Sequence, residues 1–141
     1  MVVDSDRWYH GDPETYEDDR REWHYIKHLD WFENDLREAR KRNVNKIFVI
    51  THEMAYPTGG HLRDGFPRLG FDLTLPLDSA QKATVEYTEN YWNILVEYDV
   101  AAHICGHEHS YSRLSKEGVF QIINGSSGAP LYYPNQTYDD R

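Results

Sequence analysis

The chain has one cysteine, Cys105, among 141 residues, so no disulfide within it can brace the fold. Placed at the end of a short apolar run, Cys105 reads as a small core residue. Long hydrophobic runs are missing too: stretches such as 47–50 and 100–102 fall far short of the ~20 apolar residues that cross a bilayer, so no membrane span is expected. Basic residues are scarce. Fifteen Lys and Arg against twenty-four Asp and Glu give a formal charge of -9, which leaves nothing with which to displace counterions from nucleic acid, and binding to it as a polyanion is not expected. The first four residues carry neither a basic start nor an apolar run of signal-peptide length, and the sequon Asn135-Gln136-Thr137 is too short a pattern to imply secretion, so the compartment stays open. Repeats and low-complexity tracts are also missing, and residues 1–141 read as a single domain.

What is present is aromatic and histidine-rich. Aromatic residues make up 14% and hydrophobic residues 39%, enough to bury roughly two-thirds of the unfolded surface despite a mean hydropathy of -0.81. Residues 1–4 look like a short strand, and 6–21 like a polar surface connection with a turn at Gly11-Asp12-Pro13. Over 22–42 the apolar residues Tyr25, Leu29, Phe32, Leu36 and Ala39 recur at helical spacing, with Glu33–Arg37 and Glu38–Arg42 as i, i+4 pairs on the solvent side. Asn43-Val44-Asn45 ends that helix. Residues 46–51 form a short β-branched run of the kind buried in parallel sheets, and His52 terminates it. Residues 53–77 hold four glycines and three prolines without a period, a loop long enough to suggest a task.

A second helix is expected from a cap at Asp78 or Ser79 to about Tyr98, with Ala80, Ala83, Tyr87, Tyr91, Ile94 and Tyr98 on its core face. Residues 100–105 read as another buried strand. A hairpin then follows: 111–115, a three-residue connection Lys116-Glu117-Gly118, and 119–124, with an irregular tail over 125–141. Strand, helix, strand, helix, strand and a C-terminal hairpin is an α/β pattern. Open α/β sheets place their ligands at the carboxyl ends of their strands.

That rule selects three of the eight histidines. His52 ends one strand while His107 and His109 follow the next, so all three emerge at one sheet edge, where neutral imidazoles could ligate a divalent cation. Gly106 would allow the sharp turn, and the alternate positions 107 and 109 would point their side chains the same way. The other histidines have plainer explanations. His24 and His28 are spaced i, i+4 but lack the glutamate of a zinc-protease helix, and read as helix surface. His103, inside a strand, reads as a hydrogen-bonded core residue. His10 and His61 lie in loops, His61 being the nearer to a substrate contact.

Residues 47–56 (IFVITHEMAY) and 100–113 (VAAHICGHEHSYSR) resemble the last two signature blocks of the calcineurin-like metallophosphoesterases, including the purple-acid-phosphatase-like branch. HLDWFENDLREAR, 28–40, is similar to the helix that precedes the first of these blocks, and QIINGSSGAP, 121–130, to the family's closing strand and glycine-rich turn. The resemblance implies half of a β-sandwich, and a complete enzyme that hydrolyses phosphomonoesters or phosphodiesters with two divalent or trivalent ions of iron, zinc or manganese. It implies that His52 and His107 serve one metal and His109 the other. Tyr56, His61 and Tyr111 are candidate substrate neighbours, Tyr111 being equally readable as a simple packing residue.

Three earlier blocks of that family have no counterpart here: an Asp-x-His, a Gly-Asp carrying the bridging aspartate, and a Gly-Asn-His. The chain is therefore expected to be the C-terminal part of the domain, partnered by a missing N-terminal half, slow or inactive alone, and prone to self-associate through an exposed sheet edge. Two alternatives stand beside this. The half-domain could be a catalytically inactive structural or metal-binding module, or all three histidines could hold one zinc in a mononuclear hydrolase.

Overall fold

The computed structural model describes residues 21–58, 79–128, 130 and 131. Its elements are helix α1 (Arg21–Lys41), strand β1 (Phe48–Ile50), helix α2 (Ser79–Glu97), and strands β2 (Ala102–Cys105), β3 (Tyr111–Lys116) and β4 (Val119–Asn124). The class is α/β, as the pattern predicts. The strand expected at residues 1–4 and most of the long loop lie outside the described residues.

The four strands form one mixed sheet in the order β1-β2-β4-β3, with β2 parallel to both β1 and β4 and β3 antiparallel to β4. Alternation along the strands sorts the side chains. Val49, His103, Val119 and Gln121 are buried, and Val49 and Val119 share a core with Phe32 and Leu36 of α1 and Tyr91, Trp92 and Leu95 of α2. Phe32 stacks on Tyr91 with ring centroids 5.4 Å apart. Phe48, Ile50 and Phe120, at alternate positions, stay exposed.

The α1 face matches its predicted spacing at Leu29, Phe32, Leu36 and Ala39, the side chain of Tyr25 lying outside the described residues. On α2, Tyr91, Ile94 and Tyr98 of the expected face pack on the core, and Trp92 and Leu95 beside them are buried too; the side chains of Ala80, Ala83 and Tyr87 lie outside the described residues. On the solvent side Glu33 pairs with Arg37 as expected, but Glu38 turns to Lys41 at 2.7 Å.

Both helices end in Schellman motifs built on left-handed residues other than glycine. Asn43 (φ 56°) closes α1, with Val44 N–H donating to Ala39 O, and Asp99 (φ 48°) closes α2, with Val100 N–H donating to Leu95 O. Arg40 ties the two ends together by donating to Tyr98 O, Val44 O and Asp99. The hairpin differs from expectation in one residue. Lys116 pairs with Val119, so the connection is the two residues Glu117 (φ 53°) and Gly118 (φ 87°), the two left-handed positions of a type I′ turn.

Candidate metal centre

Parallel pairing of β1 with β2 continues past the strand ends: Thr51 N–H donates to Ile104 O, and Gly106 N–H to His52 O at 3.0 Å. This extension sets His52 beside the turn that carries His107. Their rings meet edge to face at 81° with centroids 5.1 Å apart, and His52 Nε2 lies 3.1 Å from His107 Nδ1. The sharp turn is taken by His107 itself, with φ 56°, and not by Gly106, where a Cβ would make only ordinary contact with His52 O at 3.9 Å.

A third donor stands with them. Glu53, 4% exposed, places Oε1 3.4 Å from His107 Nδ1, and one ligand atom from each of His52, Glu53 and His107 falls within 4.8 Å of the others. Two nitrogens 3.1 Å apart, each at the usual ~2.0–2.1 Å from one ion, would subtend about 100° there, between octahedral and tetrahedral values. Two imidazoles and a carboxylate form a three-ligand set that suits zinc, iron or manganese and leaves coordination positions open. The donor set fits a metal ion. Sequence reasoning missed Glu53; its one signal is its place immediately after the strand-ending histidine.

His109 lines the same depression as His52 and His107, together with Asn124, Gly125 and Ser127, but stands outside the three-donor group. Its Nδ1 is 3.0 Å from Pro130 O; a carbonyl only accepts, so the neutral ring carries its lone pair on Nε2. The depression is open and measures about 370 Å³, the lower end of the range for small-molecule sites. Glu108, between the two histidines, is wholly buried and is not among the residues lining the depression.

The tyrosines sit elsewhere. Tyr56 packs its ring edge-on against Trp92, with centroids 5.0 Å apart, and its backbone is clasped by Gln121, whose Oε1 accepts from Tyr56 N–H and whose Nε2 donates to Tyr56 O. Burial pushes its hydroxyl upward from the ordinary tyrosine pKa. Tyr111, 63% exposed, pairs in register with Asn124 at the rim but is not among the residues lining the depression. His61 and His10 lie outside the described residues, as do the side chains of His24 and His28. Cys105 is buried against Met54 and Ile123, and burial raises its thiol pKa. His103 is buried and bonded through Nε2 to Thr51 Oγ1 at 2.7 Å.

No protein-family model matches the chain. Over 118 residues it is 30% identical to acid phosphatase type 7 of Mus musculus and 28% identical to acid phosphatase type 7 of Homo sapiens, alignments that cover 79% of this chain. The same alignments cover 25% of each relative, so the chain spans about a quarter of the length of the curated relatives it matches.

Proposed function

We propose that the chain carries two metal-ligand segments of a metal-dependent phosphate-ester hydrolase of the calcineurin-like metallophosphoesterase superfamily, acting on phosphomonoesters or phosphodiesters in its complete form. The convergence of His52, Glu53 and His107 at the ends of two parallel strands carries this reading. The likeness to acid phosphatase type 7 supports the phosphatase chemistry. When bound, an ion at this position supplies Lewis-acid polarisation of a phosphoryl oxygen. The protein's part is to hold the donors: the extended β1–β2 pairing sets His52 against His107, and the Pro130 carbonyl orients the His109 ring. His109, in the same depression but apart from the three donors, is assigned in this reading to a second ion.

A second reading is favoured by Glu53 itself. Because three donors already meet within this chain, it can hold one cation as an inactive metal-binding module. Elemental analysis after dialysis against Zn²⁺ and Mn²⁺, with a His107→Ala control and a p-nitrophenyl phosphate assay alongside, tests both. Metal lost in the control supports the ligand set that both readings share, and metal unchanged by His107→Ala sinks both. Turnover supports the hydrolase; because the chain alone is expected to be slow or inactive, one metal per chain without turnover moves the assay to the complete protein, where inactivity leaves the module.

A further inference from the structure

We propose that Glu108 is a positioning residue: its buried carboxylate locks the His107 turn onto the segment that carries His52 and Glu53, and so holds the donors in register. The inference rests on the reading of His52, Glu53 and His107 as cation ligands.

Glu108 is 0% exposed although both of its neighbours face the depression. Burial of a carboxylate is costly unless hydrogen bonds compensate, and here two donors from one residue converge on Oε2. Thr58 N–H donates from 3.0 Å and Thr58 Oγ1 from 2.9 Å. Since the single hydroxyl proton of Thr58 goes to Glu108, it is Ser112 Oγ that donates to Thr58 Oγ1, at 2.9 Å. Thr58 belongs to the segment that leaves β1 through His52 and Glu53. The carboxylate thus joins two ligand-bearing segments that are 50 residues apart in sequence.

The backbone is gripped from the other side. A Cβ on Gly125 would lie 1.9 Å from Glu108 O, so only glycine permits this approach, and Gly125 N–H donates to Ser110 O. Immediately before these two grips His107 adopts φ 56°, a conformation that a residue with a side chain adopts rarely and keeps only where its surroundings over-determine it. Glu108 is the adjacent residue, and its buried side chain is anchored to Thr58. Released from Thr58, the turn would relax toward ordinary φ and swing His107 away from His52 and Glu53.

Co²⁺ titration of the 141-residue chain, followed by visible absorption and with folding monitored by far-UV circular dichroism, tests this. Glu108→Ala should bind Co²⁺ about 10- to 100-fold more weakly than the unsubstituted chain and with an altered spectrum, as expected for loss of an outer-shell partner. Glu108→Gln, which keeps an acceptor oxygen in the same place, should recover most of the affinity. A folded Glu108→Ala with unchanged affinity and spectrum overturns the inference while leaving the metal reading intact. If Glu108→Ala does not fold, Thr58→Val decides: weaker binding supports the brace and unchanged binding overturns it. If the unsubstituted chain takes up no Co²⁺, the metal reading falls and this inference falls with it.

Discussion

His103 Nε2 sits 2.7 Å from the hydroxyl of Thr51, beneath the strand end that presents His52. The Thr51 hydroxyl has one proton and gives it to the carbonyl of Glu53, so His103 must be the donor in the pair. A fully buried histidine thereby pins the residues on either side of His52. Its Nδ1 has no partner among the described residues, and the Tyr91 and Trp92 rings lie edge-on to it at 5.5 and 6.5 Å.

This arrangement predicts a pH dependence of stability. Burial lowers the His103 pKa from 6.5 to about 3, against a smaller opposing effect of the neighbouring Gln121 amide. Between those values the unfolded chain binds a proton that the folded chain refuses. The contribution is therefore complete above pH 6.5 and declines as pH falls toward about 3, by ~1 kcal/mol per pH unit. Denaturant titrations at pH 7, 5.5 and 4.5 should show the unsubstituted chain losing more stability than His103→Gln. Parallel losses in the two would refute the assignment.

Gly125→Ala should cost about 1–3 kcal/mol or more, because its Cβ would collide with backbone, the carbonyl of Glu108, rather than with a movable side chain. Gly118→Ala is the control. Nothing lies within 4 Å of a Cβ there, so only the φ of 87° is strained and about 1 kcal/mol is expected. Thermal melts of the two variants should keep that order; a larger loss at Gly118 would contradict the close approach.

The strand-end histidines were legible because hydrophobic run length locates parallel strands, and residues that follow such strands share a sheet edge. Glu53 was not, since a single acidic residue at the start of an irregular loop carries no periodicity and is, on composition, a surface residue. Tyr56 lies in the same loop, yet the Gln121 amide, 65 residues away, draws its backbone to the sheet and its ring packs on Trp92, contacts that no local pattern encodes. On α2 the helical spacing found Tyr91, Ile94 and Tyr98, while Trp92 and Leu95, off that spacing, widen the buried stripe.

Metal should stabilise the chain if the three donors act together. Zn²⁺ at a hundredfold its dissociation constant should add about 2.7 kcal/mol to the unfolding free energy, removable with EDTA. His107→Ala and Glu53→Gln should abolish the increment, while His109→Ala, outside the three-donor group, should retain most of it. Melting curves with and without metal measure this. Loss in His109→Ala equal to that in His107→Ala would mean that all three histidines hold one ion.

Asn43 closes α1 in a left-handed conformation that glycine adopts without a Cβ penalty. Its neighbours already supply the Schellman hydrogen bonds through Asn43 N–H and Val44 N–H, and Arg40 bonds to Val44 O. Asn43→Gly should therefore stabilise the chain by up to about 1 kcal/mol, measured as a higher denaturant midpoint at unchanged slope. A lower midpoint would mean that the added freedom of glycine in the unfolded chain outweighs the strain relieved.

Among the described residues β1 has a strand on one side only, and Phe48 and Ile50 are 47% and 41% exposed on the sheet face that also exposes Phe120. An open edge of three residues is short, but Phe48 and Ile50 expose apolar surface there, and the Arg113 guanidinium lies over the Phe120 ring, 5.5 Å from its centroid. The isolated chain should therefore self-associate, with sedimentation velocity showing a species heavier than 16.7 kDa at tens of micromolar. Ile50→Lys places a charge at that open edge without touching the buried side of β1, where Val49 packs, so it should return the chain to monomer with little change in melting temperature. An oligomer that persists in Ile50→Lys would locate the contact elsewhere. A monomer at all concentrations in the unsubstituted chain would mean that this face is covered within a single copy.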